Sequence, residues 1–457
     1  MPFLKTSRAQ SSPPGRSPAT PSRLARFLRA APFAPRLAAL PLALATFAFC
    51  SSCATPSAYH EPAPLTASER TALNLEIYDA TWRLVNEKYF DPNFRGVDWA
   101  AKGRQYRPEA AAATDDTELY RVLSRLCNEL KESHLTPLPP RRTHELRTER
   151  RVAVGMGWMP LEGRLVVTDL IPGGPAEEAG VLPGWVLLAC EGRPLSEAPP
   201  LTPRAGQPIT YTFLDLQNEA RSITFQPELV RTVQRVARDL PGGQRYLRFD
   251  KFDRKSLSWL NRELKAHRDG PGVVIDLRDN PGGYVFAANI AIGEFFNHRV
   301  ATGHFIRRNG RTSEGHGLPL PFLSARYRGP LVVLTGPSTG SAAEIFAHVM
   351  QHYNRATIVG RRTAGAVIVS RTYNLPGGGK LQIPIQDYRG LNDERLEGRG
   401  VMPDIAVPSP ALADLRAGRD PDLDHAIAAF TPKPGHLLAT AASGPAPLAA
   451  TAEASAP

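Results

Sequence analysis

The sequence predicts a multidomain α/β protein in three parts, and three observations predict it. Apolar residues recur at helical spacing between Thr66 and Leu130. Short strands separated by glycine and proline turns follow from about residue 151. Strand and helix patterns then alternate from about 240 to 410. At 457 residues, 42% hydrophobic and 22% charged, the chain has a globular composition and exceeds what one hydrophobic core usually serves.

The N-terminal segment stands apart. Residues 1–52 hold seven basic side chains and no acid, then the apolar run Leu37 to Phe49 and Ser51-Ser52-Cys53. A basic region, a short apolar stretch and small residues before a cysteine form an export signal, too short and wrongly flanked for a spanning helix. Pro32, Pro35 and Pro41 also interrupt any buried helix there. The ending resembles the processing site of bacterial lipoproteins, which implies acylation of Cys53 as the mature N-terminus and a place in the cell envelope, periplasmic or on the outer surface. Cys50 stands where an aliphatic residue is usual. A soluble secreted form and an uncleaved anchor are the other readings.

Without the seven positive charges of this segment the net charge falls from +11 to +4, so no nucleic-acid partner is implied. Cys127 and Cys190 lie in different predicted units at apolar positions. That pattern fits two buried thiols better than the disulfide open to an exported protein.

Residues 53–64 are a proline-rich linker. In a helical domain over 65–150, Thr66-x-x-Glu69 is a capping box, and Tyr78, Trp82, Val85 and Tyr89 follow on one face. Asp91-Pro92 ends that helix and a second turn follows Asp98. A third helix carries Leu119, Val122, Leu123, Leu126, Cys127 and Leu130, a stripe read as core. It runs into the polar cluster Lys131-Glu-Ser-His-Leu-Thr136.

Residues 151–235 are β-rich. Val154-Gly-Met-Gly-Trp158, Pro172-Gly-Gly-Pro-Ala-Glu-Glu-Ala-Gly180 and Pro183-Gly-Trp-Val-Leu-Leu-Ala-Cys-Glu-Gly192 are separated by short strands, and Ile209, Tyr211 and Phe213 alternate. These runs resemble a PDZ module. The resemblance implies that an extended chain end adds as a strand, with Gly155, Met156, Gly157 and Trp158 forming the peptide-binding loop. Turn geometry alone is the other reading of the glycines.

Residues 236–432 read as an α/β layer domain. Its strands are Arg245 to Phe249, Val273 to Leu277, Leu331 to Leu334 and Thr357 to Val359, with helices around Trp259, after Tyr284 and after Ser341. Asp420 to Phe430 gives a last helix. The Ala, Pro, Ser and Thr tail over 433–457 is expected to be disordered.

The chemistry concentrates where the apolar strand at Leu331 breaks at Gly336-Pro337 and a small-residue helix begins at Ser341. A serine there meets the positive end of a helix and backbone N–H groups without intrahelical partners, which suits a nucleophile and its oxyanion. Asp276-Leu-Arg-Asp-Asn-Pro-Gly-Gly283 follows another buried strand, and Glu397-Gly-Arg-Gly-Val-Met-Pro-Asp404 closes the domain. Taken with Lys131-Glu-Ser-His134 and the PDZ-like runs, these motifs resemble the tricorn-type and C-terminal-processing serine peptidases over about 65 to 430.

That resemblance implies an α/β core of the ClpP/crotonase type and an exported serine endopeptidase acting on polypeptides. The Ser-Lys branch would place a lysine in the stretch that here reads Gly360-Arg-Arg-Thr-Ala-Gly-Ala366, and Ala366 stands in its place. Lys380 lies in a glycine-rich turn and does not match. The tricorn-like branch implies Ser341 as nucleophile, His134 as general base, and Ser133 and Glu397 as the rest of a tetrad. Its oxyanion would be held by the N–H of Ala342 and one from Gly282 or Gly283.

Ser133 and His134 can share a site only on a bend, because neighbours in extended chain face opposite ways. Asp276, Arg278 and Asp404 read as structural. No cofactor is implied, and His348 with His352, four apart on a helix, lack the glutamate and third ligand of a zinc site. The contrary function is a peptide-binding protein on the same scaffold with catalysis lost.

Overall fold

The computed structural model describes residues 58–320 and 324–430. The proposed export signal, Cys53, the start of the linker and the C-terminal tail lie outside these residues. Those described fall within a single unit, Ala54–Pro457, and none of their helices is long and apolar enough to cross a membrane.

Thr66 caps the first helix, Ala67–Lys88, with the reciprocal Glu69 contact of a capping box. Helices Trp99–Ala112 and Asp116–Asn128 follow, capped by Asp98 and Asp115. Tyr78, Val85, Tyr89, Leu119, Leu123, Leu126 and Leu130 are buried together as the helical periodicity requires. Three helices do not close a core alone. Leu375, Leu381 and Ile383, far along the chain, complete this one.

The β-rich module orders Met156–Leu161, Arg164–Leu170, Val186–Cys190, Ile209–Leu214 and Ala220–Phe225 as neighbours in one sheet. The alternation at Ile209, Tyr211 and Phe213 puts all three inside. No helix forms between Pro194 and Ile209, where Pro199, Pro200 and Pro203 break the pattern. Met156–Leu161 ends the sheet, and one of its edges is unpaired among the described residues.

In the core, Arg245–Phe249, Val273–Asp276, Leu331–Thr335, Thr357–Gly360 and Ile405–Ala406 run parallel, with Arg235–Asp239 antiparallel at one side. The middle strands are continuous apolar runs because helices cover both faces. A second sheet, from Thr136–Leu138, Val300–Arg307, Thr312–Gly317, Val369–Asn374 and Lys380–Arg389, was not read from the sequence. Lys380 begins its longest strand, where the sequence suggested only a turn. Cys127 and Cys190 are both free and buried.

Candidate active site

The strand Leu331–Thr335 is buried throughout, and its end delivers the chain to Ser341, N-cap of the helix Ala342–His352. Ser341 has φ +53° and ψ −119°, a left-handed conformation for a residue with a side chain. Such a residue costs of order 1–3 kcal/mol and persists only where its surroundings fix it. Glu344 does the fixing. Its carboxylate is fully buried and accepts from Ser341 N–H and Ala366 N–H at 2.9 Å each, Gly365 N–H at 2.7 Å and the Thr363 hydroxyl at 2.5 Å. Burial pushes its carboxyl up while these donors pull it down. Ser341 N–H also reaches Ala366 O at 3.0 Å, and the Ser341 hydroxyl makes no capping hydrogen bond.

The loop Leu277 to Gly283 crosses the Ser341 loop and is stitched to it. Thr339 Oγ1 donates to Leu277 O at 2.7 Å, and Gly340 N–H donates to Asn280 O at 3.0 Å. Asn280 is wholly buried, donates from Nδ2 to Phe249 O at 2.8 Å, and accepts Gly282 N–H on Oδ1 at 2.9 Å. Gly282 N–H is therefore engaged, which narrows the pair of glycines offered as oxyanion donors to Gly283. Among the described residues no acceptor is found for Gly283 N–H or Ala342 N–H. Gly282 instead makes room: at φ +108°, a Cβ there would stand 2.7 Å from Ser341 Cβ and 3.0 Å from Ala342 N. Asp276 and Arg278 brace this loop from beneath, with Asp420 and Asp422 of the last helix around the guanidinium.

Ser133 and His134 do lie on a turn, immediately before the strand Thr136–Leu138. That turn brings Ser133 Oγ to 2.7 Å from His134 Nδ1, leaving Nε2 facing away from this pair. His134 is half-buried, and burial pulls its pKa down to about 4, so the imidazole is neutral at pH 7. Glu397 is buried and accepts Val367 N–H at 2.6 Å and Ser133 N–H at 3.3 Å. Its contact is thus with the Ser133 backbone.

A continuous set of short links runs from Ser341 N–H to Ala366 O, on to the adjoining Val367 N–H, through Glu397 to Ser133, and from there to His134. Among the described residues Ser341 Oγ and His134 share no direct hydrogen bond. Ala366, where the Ser-Lys pattern would carry its amine, lies against the Ser341 backbone, and alanine supplies no base there.

Sequence reasoning gave no role to Glu344, Asn280 or Glu132. The first had a signal, an acid three residues after an N-cap serine. Glu132, beside the Ser133 turn, is buried, accepts Tyr89 Oη at 2.9 Å and Arg95 Nη1 at 2.7 Å, and burial pushes its carboxyl up. Asp404 accepts Gln351 Nε2 and Ile358 N–H, a structural task. His348 Nε2 stands 3.0 Å from Glu394 Oε1. In the β-rich module, Gly155 has φ +81° and its carbonyl accepts Ile171 N–H at 2.8 Å. Gly157 pairs with Asp169, Met156 is buried, and Trp158 meets the Tyr211 ring edge-on.

Residues 245–407 match the model of peptidase family S41, and residues 72–128 match that of the tricorn protease C1 domain. Ser341, both glycines and Glu397 fall in the first match, while Ser133 and His134 lie in neither. The chain is 26% identical over 387 residues to a tricorn protease homologue of Streptomyces coelicolor, covering 77% of this chain and 32% of that protein. It is 26% identical over 370 residues to the carboxyl-terminal-processing protease of Synechocystis, covering 77% and 84%. It thus spans about a third of the Streptomyces relative and most of the cyanobacterial one.

Two solved structures share the fold. The photosystem II D1 C-terminal processing protease superposes with TM-score 0.51 at 21% identity, over 73% of this chain and 93% of that one. Mature CPAF complexed with lactacystin superposes with TM-score 0.56 at 12% identity, over 79% and 98%. The chain thus matches the peptidase family S41 model over one stretch and the tricorn C1 model over another, on a mixed α/β fold similar to that of the photosystem II D1 C-terminal processing protease.

Proposed function

We propose that the protein is an exported serine endopeptidase, lipid-anchored at Cys53, that cleaves polypeptides through an acyl-enzyme on Ser341. In this reading Ser341 Oγ attacks the scissile carbonyl while His134 Nε2 takes its proton. The oxyanion forms against Gly283 N–H and Ala342 N–H. As the C–N bond breaks His134 returns the proton to the leaving amine, and water then hydrolyses the ester by the same base. Ser133 holds the imidazole through Nδ1, and Glu397 holds the Ser133 turn. The observation that carries the reading is Ser341 itself: a strained serine at a helix N-terminus, its hydroxyl making no capping hydrogen bond, fixed by a four-donor carboxylate near two backbone N–H groups that find no acceptor among the described residues.

The β-rich module is read as PDZ-like, recruiting or gating chain ends at the unpaired edge of Met156–Leu161. Labelling the mature protein with a fluorophosphonate tests the proposal. An adduct mapped to Ser341, absent in Ser341→Ala and strongly reduced in His134→Ala, is the expected result. A folded protein that binds peptides but forms no adduct would establish the binding-protein reading instead.

A further inference from the structure

The strand Val369–Asn374 leads away from the loop whose Ala366 carbonyl accepts Ser341 N–H, so the chain passes from the nucleophile onto the second sheet. At Ser370 and Arg371 it enters a groove of about 850 Å³ that also contains Arg307, Arg308, Ile385 and Gln386. Gln386 pairs with Arg307 on one side and Val369 on the other, so the groove crosses three strands. Among the described residues three guanidinium groups line it, and no carboxylate does.

Arg308 is occupied, donating to Asn86 O at 3.3 Å and to Tyr89 O, with its guanidinium 5.8 Å from the Phe94 ring centroid. Arg307 and Arg371 differ. Both are exposed, and among the described residues neither forms an ion pair, whereas Arg248, Arg278, Arg361 and Arg395 of the same domain all do. Like charges within a concavity focus their potential, and the planar guanidinium fork matches a carboxylate.

We infer that this groove is a subsite for the peptidase reaction proposed above, taking a carboxylate of the polypeptide substrate. The four residue-to-residue steps from Ala366 to Ser370 span at most about 14 Å. An extended substrate advances about 3.4 Å per residue, so the carboxylate sits within about four residues of the scissile bond. Its source is either an acidic side chain or the free C-terminus.

The test uses quenched-fluorescence peptides that differ only by Gln or Glu at successive positions from the cut. Each is made with a C-terminal acid or amide, which separates the two sources. Wild-type protein should prefer a carboxylate at one such position by about five- to tenfold in kcat/KM, less at high salt. The ratio should fall to about one in the double variant Arg307→Gln, Arg371→Gln. Peptide binding to Ser341→Ala, read by fluorescence anisotropy, gives the same comparison without turnover. A Glu preference in binding with no cleavage by wild type would sink the peptidase reading and keep the groove. Equal handling of Gln and Glu peptides in both assays, or a preference that survives the double variant, overturns the inference.

Discussion

Glu344→Gln is the most searching single substitution, because it keeps shape and removes only the capacity to accept four donors. Two of them, the Thr363 hydroxyl and Gly365 N–H, point at Oε1; Ser341 N–H and Ala366 N–H point at Oε2. A glutamine amide must turn its nitrogen toward one pair. On the first side the hydroxyl can rotate to accept, but Gly365 N–H is left facing another N–H. On the other side Ala366 N–H is orphaned, while Ser341 N–H keeps Ala366 O. One orphaned buried donor costs about 1–3 kcal/mol, so about that much stability should go. The urea midpoint reads that loss.

The kinetic effect is larger in kind. Ser341 would relax from its left-handed conformation and carry Ala342 N–H with it, and displacing an oxyanion donor or nucleophile by about 1 Å costs about 100-fold or more. The second-order rate of fluorophosphonate labelling measures it. A Glu344→Gln protein with an unshifted midpoint, labelling within about threefold of wild type, would refute the claim that this carboxylate holds the nucleophile.

Gly282→Ala should leave far-UV circular dichroism near native but cut labelling by about 100-fold, since the added Cβ would meet Ser341 Cβ at 2.7 Å; wild-type labelling would contradict that geometry. For His134, burial sets the folded pKa at about 4, below the value of about 6.5 for an unfolded chain. The unfolded state therefore binds more protons between those values, so this residue's contribution to stability is present above the unfolded pKa and is lost as pH falls toward 4. The neutral base persists over the same window: kcat/KM should stay level down to about pH 5 and fall near 4, and an acid limb at about 6.5 would show an imidazole in ordinary solvent. Asp422→Asn breaks a buried pairing with Arg278 and Arg361, which should cost about 3–5 kcal/mol and lower the urea midpoint; an unchanged midpoint would show these guanidinium groups satisfied elsewhere.

Much of the fold was legible because its signals are local. The capping box at Thr66, the apolar runs at Val273, Leu331 and Thr357, and the alternation at Ile209, Tyr211 and Phe213 each declare an element within a few residues. The second sheet was not legible, because it joins Thr136–Leu138 to Lys380–Arg389 and no short-range pattern specifies a partner so distant. Lys380, read as part of a turn, sits where that strand starts just after Gly377, Gly378 and Gly379. In the candidate site, Ser341 and the glycines could be singled out as candidates because strand ends and turns leave composition marks. Asn280 and Glu344 were not singled out because what they hold in place depends on which groups they meet. The choice between Gly282 and Gly283 needed one side-chain contact, Asn280 Oδ1, that a sequence does not contain.

That distant pairing bears on how the proposed base reaches the nucleophile. His134 comes from the helical segment, whose core is closed by Leu375, Leu381 and Ile383. The same segment is fastened by Phe90 N–H to Pro384 O at 3.0 Å, by Arg308 to Tyr89 O, and by Ser133 N–H to Glu397. These contacts make the helical segment part of the wall of the core domain, since separating them would expose Leu381 and Ile383, both fully buried. With alanine at 366 the core region offers no lysine of its own at that place, so under the proposed mechanism folding of the helical segment onto the second sheet and assembly of the base with Ser341 are one event. Under that mechanism, hydrophobic packing at Leu375, Leu381 and Ile383 holds the base in place together with the polar residues.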